Sequence, residues 1–175
     1  MAFAPTGEGW ATGGTEDDNH PYILAYRDGA WHDETPAGAE AHLHSASANA
    51  ADDVWLAGGG GMVWWYNGER WTDFAIPGGC LHKLTFVRDD LAWTGPAHAG
   101  EGAGMRRWSG GHRQTGWESL GGIADHQGIL DIQFSEETDG WAVGRSTPRS
   151  AWCRTMGSPG GLSPMRTLRI RPVPA

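Results

Sequence analysis

The sequence predicts an all-β protein of repeated four-stranded antiparallel units, and three observations carry that expectation. Of 175 residues, 28 are glycine and 11 are tryptophan. Glycine that frequent without a collagen-like period marks many turns, and so much tryptophan marks a core built from flat, half-buried surfaces. Next, a tryptophan strand running into glycine returns four times, as GWATGG at Trp10, VWLAGG at Trp55, LAWTGP at Trp93 and GWAVGR at Trp141. Finally, these tryptophans are spaced 38 to 48 residues apart, the length of one four-stranded blade of a β-propeller.

The second unit justifies its strands most fully. HLHSASAN (42–49) alternates small and polar residues and leads through an acidic turn into Val54–Gly58. Gly59–Gly61 turn the chain into Met62–Asn67, and Asn67-Gly68, a pair that accepts positive φ, turns it again into Trp71–Ile76. Trp64 and Trp65 are adjacent, so on a strand one faces each side of the sheet. A blade stacked between two neighbours has two buried faces, which accounts for aromatics at both phases of the alternation.

The same pieces recur elsewhere. An aromatic, a glycine turn and a tryptophan follow one another in YRDGAW (26–31), YNGERW (66–71) and, more loosely, WSGGHRQTGW (108–117). Leading strands return as LHKLTFVR (81–88) and ILDIQFSE (129–136). The expected organisation is a repeat region over 1–144, with blades around 9–35, 40–77, 81–119 and 129–144. Its thirteen strands make three and a quarter blades, with no leading strand before Trp10, whereas closed propellers have about four to eight blades. An incomplete propeller is therefore expected, either a piece of a larger one or one closed by self-association. Residues 145–175 hold six arginines, five prolines and no acid. They read as a basic Pro/Gly/Ser-rich tail, disordered or out of frame, without stable structure.

SASANAADDVWLAGGGGMVWWYNGERW and ILDIQFSEETDGWAVG resemble bacterial propeller repeats of the neuraminidase-repeat and photosystem-II-assembly-factor-like type, from residue 9 to about 144. The resemblance implies propeller blades. It leaves function open, because the group holds glycosidases, assembly factors and lectins. Ser135–Trp141 only loosely matches the S-x-D-x-G-x-x-W box of sialidases, with Glu137 in place of the aspartate, and the sialidase arginine triad and tyrosine have no counterparts here.

Charge narrows the partners. Residues 1–144 carry all 21 acids against seven cations, a balance of −14, while 145–175 carry +6. An acidic body argues against nucleic acid, which needs clustered Lys and Arg. The opening MAFAPTGEGWATGG lacks the basic and apolar regions of a secretory signal, and no apolar run approaches the roughly 20 residues of a membrane helix. No membrane association is expected, and the compartment is cytoplasmic by default. Cys80 and Cys153 read as two unpaired thiols.

Candidate chemistry is sparse. His42 and His44 share a strand face, and His82 occupies the matching place in the next blade, a potential three-ligand metal set. The favoured reading of all three is metal-free, and no cofactor is expected. The acids before each tryptophan strand recur at a repeat position, which marks turn aspartates that accept backbone N–H groups rather than paired glycosidase carboxylates. GGGG at 58–61 lacks the Lys-Ser/Thr and helix of a phosphate loop, and no catalytic residue is assigned. Trp64, Trp65 and Trp108 are the candidates for stacking on a ligand such as a sugar ring. The expected function is a non-catalytic propeller module that binds a protein through loops at one rim. The alternatives are a lectin-like or glycosidase-derived propeller that binds glycan, and a truncated fragment without independent function.

Overall fold

The computed structural model describes residues 1–14, 20–40, 42–77, 79–96, 104–120, 128–136, 139–145 and 165–170. These residues form four antiparallel sheets, each a meander in which chain neighbours are also sheet neighbours. Sheet one contains β1 (Ala2–Phe3), β2 (Gly9–Gly14), β3 (Pro21–Arg27) and β4 (Ala30–Asp33). Sheet two contains β5 (Leu43–Ala50), β6 (Asp53–Gly58), β7 (Met62–Tyr66) and β8 (Trp71–Ala75). β9 (Leu81–Arg88), β10 (Leu91–Pro96), β11 (Met105–Trp108) and β12 (Trp117–Leu120) make sheet three. Sheet four is β13 (Gly128–Glu136), β14 (Asp139–Arg145) and β15 (Met165–Ile170).

The leading strands set the sheets side by side. β5 packs along β9, and β9 along β13, so the sheets radiate from neighbouring inner edges. Serines in the HSAS stretch join two of these edges. The Ser45 hydroxyl donates to the Leu84 carbonyl at 3.1 Å and accepts from the Leu84 N–H at 3.0 Å. Ser47 Oγ accepts from the Phe86 N–H at 3.2 Å. Between β9 and β13, Lys83 Nζ lies 2.9 Å from Asp131 Oδ1.

The core falls into three clusters, one between each pair of successive sheets. Trp10, Ile23, Val54, Leu56, Trp64 and Tyr66 fill the space between sheets one and two. Trp55, Val63, Leu84, Trp108 and Trp117 fill the next, and Trp93, Met105, Ile129 and Ile132 fill the third. Val54 and Leu56 face sheet one while Trp55 and Ala57 face sheet three, the strict two-residue alternation of a sheet buried on both faces. Trp64 and Trp65 divide in the same way, toward the first and second clusters. In sheets two and four the glycine three residues after the tryptophan has a steric cause. A Cβ on Gly58 would lie 1.9 Å from the His42 carbonyl oxygen, and one on Gly144 would lie 2.2 Å from that of Gly128. Both sit where the leading strand bulges toward them.

Among the described residues, fifteen strands stand where thirteen were expected. β1 supplies the leading strand missing before Trp10, pairing Ala2 with Trp10 and Phe3 with Gly9. At the other end, Met165–Ile170 pairs with Gly140–Arg145 of β14, inside the segment expected to lack stable structure. β14 would otherwise present an unpaired edge of N–H and C=O groups, and MRTLRI is compatible with extended backbone. The rest of that segment lies outside the described residues. Cys80 is disulfide-bonded, which corrects the reading of unpaired thiols; the chain's other cysteine, Cys153, lies outside the described residues.

Candidate functional site

The structure places two of the three nominated ligand tryptophans in packing. Trp64 is 8% exposed and Trp108 is 6% exposed, each inside an inter-sheet cluster. Their ring faces are taken by neighbouring sheets, so they offer no platform to a sugar, and the expectation for them is corrected. Trp65 is half-buried beneath the Arg113 guanidinium, which lies 3.8 Å from its ring centroid, a cation–π contact.

The acid before that strand has a structural role, with partners the sequence did not indicate. Asp53 Oδ1 accepts the indole N–H groups of both Trp55 and Trp65, each at 2.8 Å, and Oδ2 accepts from Asn49 Nδ2 at 2.9 Å. The carboxylate thus fixes two rings on one face of sheet two. Register also refines the repeat. Val54 and Ala92 occupy matching positions, since each pairs with the aromatic that ends the following hairpin strand, Tyr66 or Trp108. Asp53 therefore corresponds to Leu91, and Asp52 to Asp90. Asp90 instead takes Arg88 Nε at 2.6 Å.

The histidines gather in part. His44 on β5 and His82 on β9 stack with centroids 5.5 Å apart and planes 10° from parallel. Burial, with smaller contributions from charge on His82 and His42, holds the His44 imidazole below its ordinary pKa. His82 Nδ1 lies 3.2 Å from the Leu130 carbonyl. The His42 backbone carbonyl accepts from the Gly59 N–H at 2.8 Å. Parallel stacking is not the convergent geometry of a metal centre, and among the described residues no group of three or more His, Cys, Asp or Glu is placed to hold a metal ion.

Among the described residues, a cleft of about 400 Å³ lies at one rim of sheet one, lined by Thr6, Gly7, Glu8, Tyr26, Arg27, Asp28 and Gly29. Two turns build it. The β1–β2 turn is closed by Ala4 N–H to the Glu8 carbonyl at 2.8 Å and Gly7 N–H to the Ala4 carbonyl at 3.0 Å. In the β3–β4 turn, Asp28 (φ 53°) and Gly29 (φ 79°) both take the left-handed conformation that a two-residue hairpin requires. The Thr6 hydroxyl donates to the Glu8 carboxylate and is the main cause holding that carboxyl below its usual range. Arg27 turns its charge to Glu34, 2.7 Å away, and lies 5.7 Å from the Tyr66 ring centroid. Glu8 and Asp28 thus give the cleft an anionic lining. In the sequence these residues read as turn residues, because an acid before a strand and DG in a hairpin each explain themselves as a turn. The available signal was an acid beside the turn in both hairpins at one rim.

No protein-family model matches this sequence, and no curated protein matches it. Solved structures do. The chain is similar to "YCF48 bound to D1 peptide", with a TM-score of 0.62 and 17% identity over 83% of this chain and 46% of that one. It is also similar to YCF48 from Cyanidioschyzon merolae, with a TM-score of 0.57 and 15% identity over 82% of this chain and 47% of that one. At such identities the likeness is one of fold. The fold is of the β-propeller type, built from four-stranded antiparallel sheets, and the chain spans less than half the length of these neighbours.

Proposed function

We propose that this chain is a non-catalytic propeller module that binds a segment of another protein at the rim cleft of sheet one. The observation that carries the reading is the cleft itself, with Glu8 and Asp28 in its wall and the Arg27 charge turned toward Glu34. A solved neighbour of the same fold holds a peptide, which supports a protein rather than a sugar as the occupant. The burial of Trp64 and Trp108 removes two of the three rings on which a sugar reading relied. An anionic rim selects an extended segment bearing Lys or Arg, whose attraction is long-ranged and sensitive to salt.

The test is fluorescence anisotropy with a labelled Lys-Ala repeat peptide and its Glu-Ala counterpart. Only the Lys-Ala peptide should bind, and added salt should weaken it. Glu8→Gln and Asp28→Asn, which leave the turn geometry intact, should each weaken binding by about two- to fivefold, the scale of one exposed charge pair. Equal affinity for both peptides, or variants that bind like the parent, would overturn the assignment of the cleft.

A further inference from the structure

Between its own sheets the chain twice builds an aromatic seat that receives a tryptophan. Trp55 packs on Phe86 at 5.2 Å and on Trp108 at 5.6 Å, and Trp93 packs on Phe134 at 5.3 Å. The seat is set by register. A phenylalanine on the leading strand lies opposite the residue that precedes its own sheet's tryptophan, as Phe86 pairs with Ala92 and Phe134 with Gly140. A second aromatic ends the third strand and pairs with the same residue, as Trp108 does with Ala92.

Sheet one carries this seat on the face turned away from sheet two. Phe3 and Tyr26 both pair with Gly9, the residue before Trp10. The Phe3 ring lies against that glycine, where a Cβ would fall 2.5 Å from Phe3 Cε1, as Phe134 lies against Gly140, with 2.6 Å to Phe134 Cδ1. Phe3 and Tyr26 have centroids 6.3 Å apart and planes at 71°, against 6.0 Å and 76° for Phe86 and Trp108. Trp31 extends the cluster, 5.3 Å from Tyr26 and 6.3 Å from Phe3. Here the seat opens to solvent, with Phe3 53% and Trp31 42% exposed. Tyr26 also lines the rim cleft, together with Glu8 and Asp28.

We infer that the protein segment bound at the rim cleft carries a tryptophan beside its Lys or Arg, and that this indole occupies the Phe3–Tyr26–Trp31 cluster. The inference rests on the cleft being a peptide site. The residue type follows from the two interior seats, each of which is filled by a tryptophan. Its neighbour follows from charge. Because Tyr26 belongs to both cluster and cleft, a side chain on the cluster sits beside the anionic lining, which attracts a cation. An indole also brings a large apolar area, and tilted or edge-on contacts with the seat rings add to it.

Fluorescence anisotropy on the full chain tests this, with the labelled Lys-Ala repeat and a set in which each alanine in turn is replaced by tryptophan. At one position or more the tryptophan should tighten binding about tenfold. Leucine at that position should gain less. Phe3→Ser and Trp31→Ser should each remove most of the gain yet bind the plain Lys-Ala repeat like the parent, which also shows that the variants fold. Lys-Ala binding without a tryptophan gain would overturn the inference and leave the rim cleft standing. So would a leucine gain equal to that of tryptophan, or a gain that survives both variants. Failure of the plain Lys-Ala repeat would overturn the cleft itself, and this inference with it. Light scattering adds one further outcome. A mass that doubles in the parent but not in Phe3→Ser, without any tryptophan gain, would assign the cluster to a second copy and would overturn the inference too.

Discussion

Trp55 and Trp141 hold the same place in their repeats, the third residue of the second strand of a sheet, yet one is fully buried and the other is 39% exposed. Nothing in GWAVGR marks it as more exposed than VWLAGG. The difference comes from the neighbour: Trp55 has sheet three in front of it, with Phe86 and Trp108 in contact, whereas among the described residues no sheet follows the one that carries Trp141. In a stacked-sheet protein a residue's burial belongs to the interface and not to the strand. Substitution should expose this directly. Trp55→Ala removes the hub of the second cluster and should cost about 3–5 kcal/mol, as large core truncations do. Trp141→Ala should cost under about 1 kcal/mol in urea unfolding at concentrations below any association. Equal losses would mean that Trp141 is buried in solution and that the two regions do not differ as described.

A finer contrast separates sheet two from sheet three at the residue two before the tryptophan. Sheet two has Asp53 there, and it accepts two indole N–H groups. Sheet three has Leu91, and the Trp93 indole N–H is buried with no hydrogen-bond partner among the described residues. Asp53→Leu imposes the arrangement of sheet three on sheet two. It should destabilise by about 1–3 kcal/mol through two donors left without an acceptor, read from the urea midpoint with the slope unchanged. Unchanged stability would mean that solvent serves these indoles as well as the carboxylate does.

These contrasts also mark what could be read in the sequence. The strands of sheets two and three were legible because Asn67-Gly68, the alternation in 54–58 and the paired tryptophans all specify one local answer, and the observed Asp53–Gly58 and Met62–Tyr66 lie within a residue of it. β1 was not legible, since two residues with no alternation become a strand only because β2 offers an edge. β15 was missed for the same reason. The rim cleft was hidden because its wall is made of turn residues whose local role looked sufficient. Trp64 and Trp108 were misplaced because a sequence gives a strand's two faces but not what covers them. The link from Asp53 to two indoles was out of reach, since it joins side chains on neighbouring strands whose orientation only the packed sheet sets.

The smallest effect concerns the inner edges, where His44 and His82 stack across β5 and β9. In the unfolded chain His44 takes up a proton near its ordinary value of 6.5, but in the folded protein burial, then charge on His82 and His42, lowers that value. The unfolded state therefore binds more protons in the window below 6.5. The stabilising contribution is complete above that pH and is lost as pH falls through it toward the lowered folded value. His44 is exposed at the surface, so screening keeps the effect under about 1 kcal/mol. Stability measured from pH 8 to pH 5 should fall less steeply in His44→Gln than in the parent. Parallel curves would show that the stacked pair does not sense protonation. The Ser45 and Ser47 bonds and the Lys83–Asp131 pair would then be what joins the inner edges.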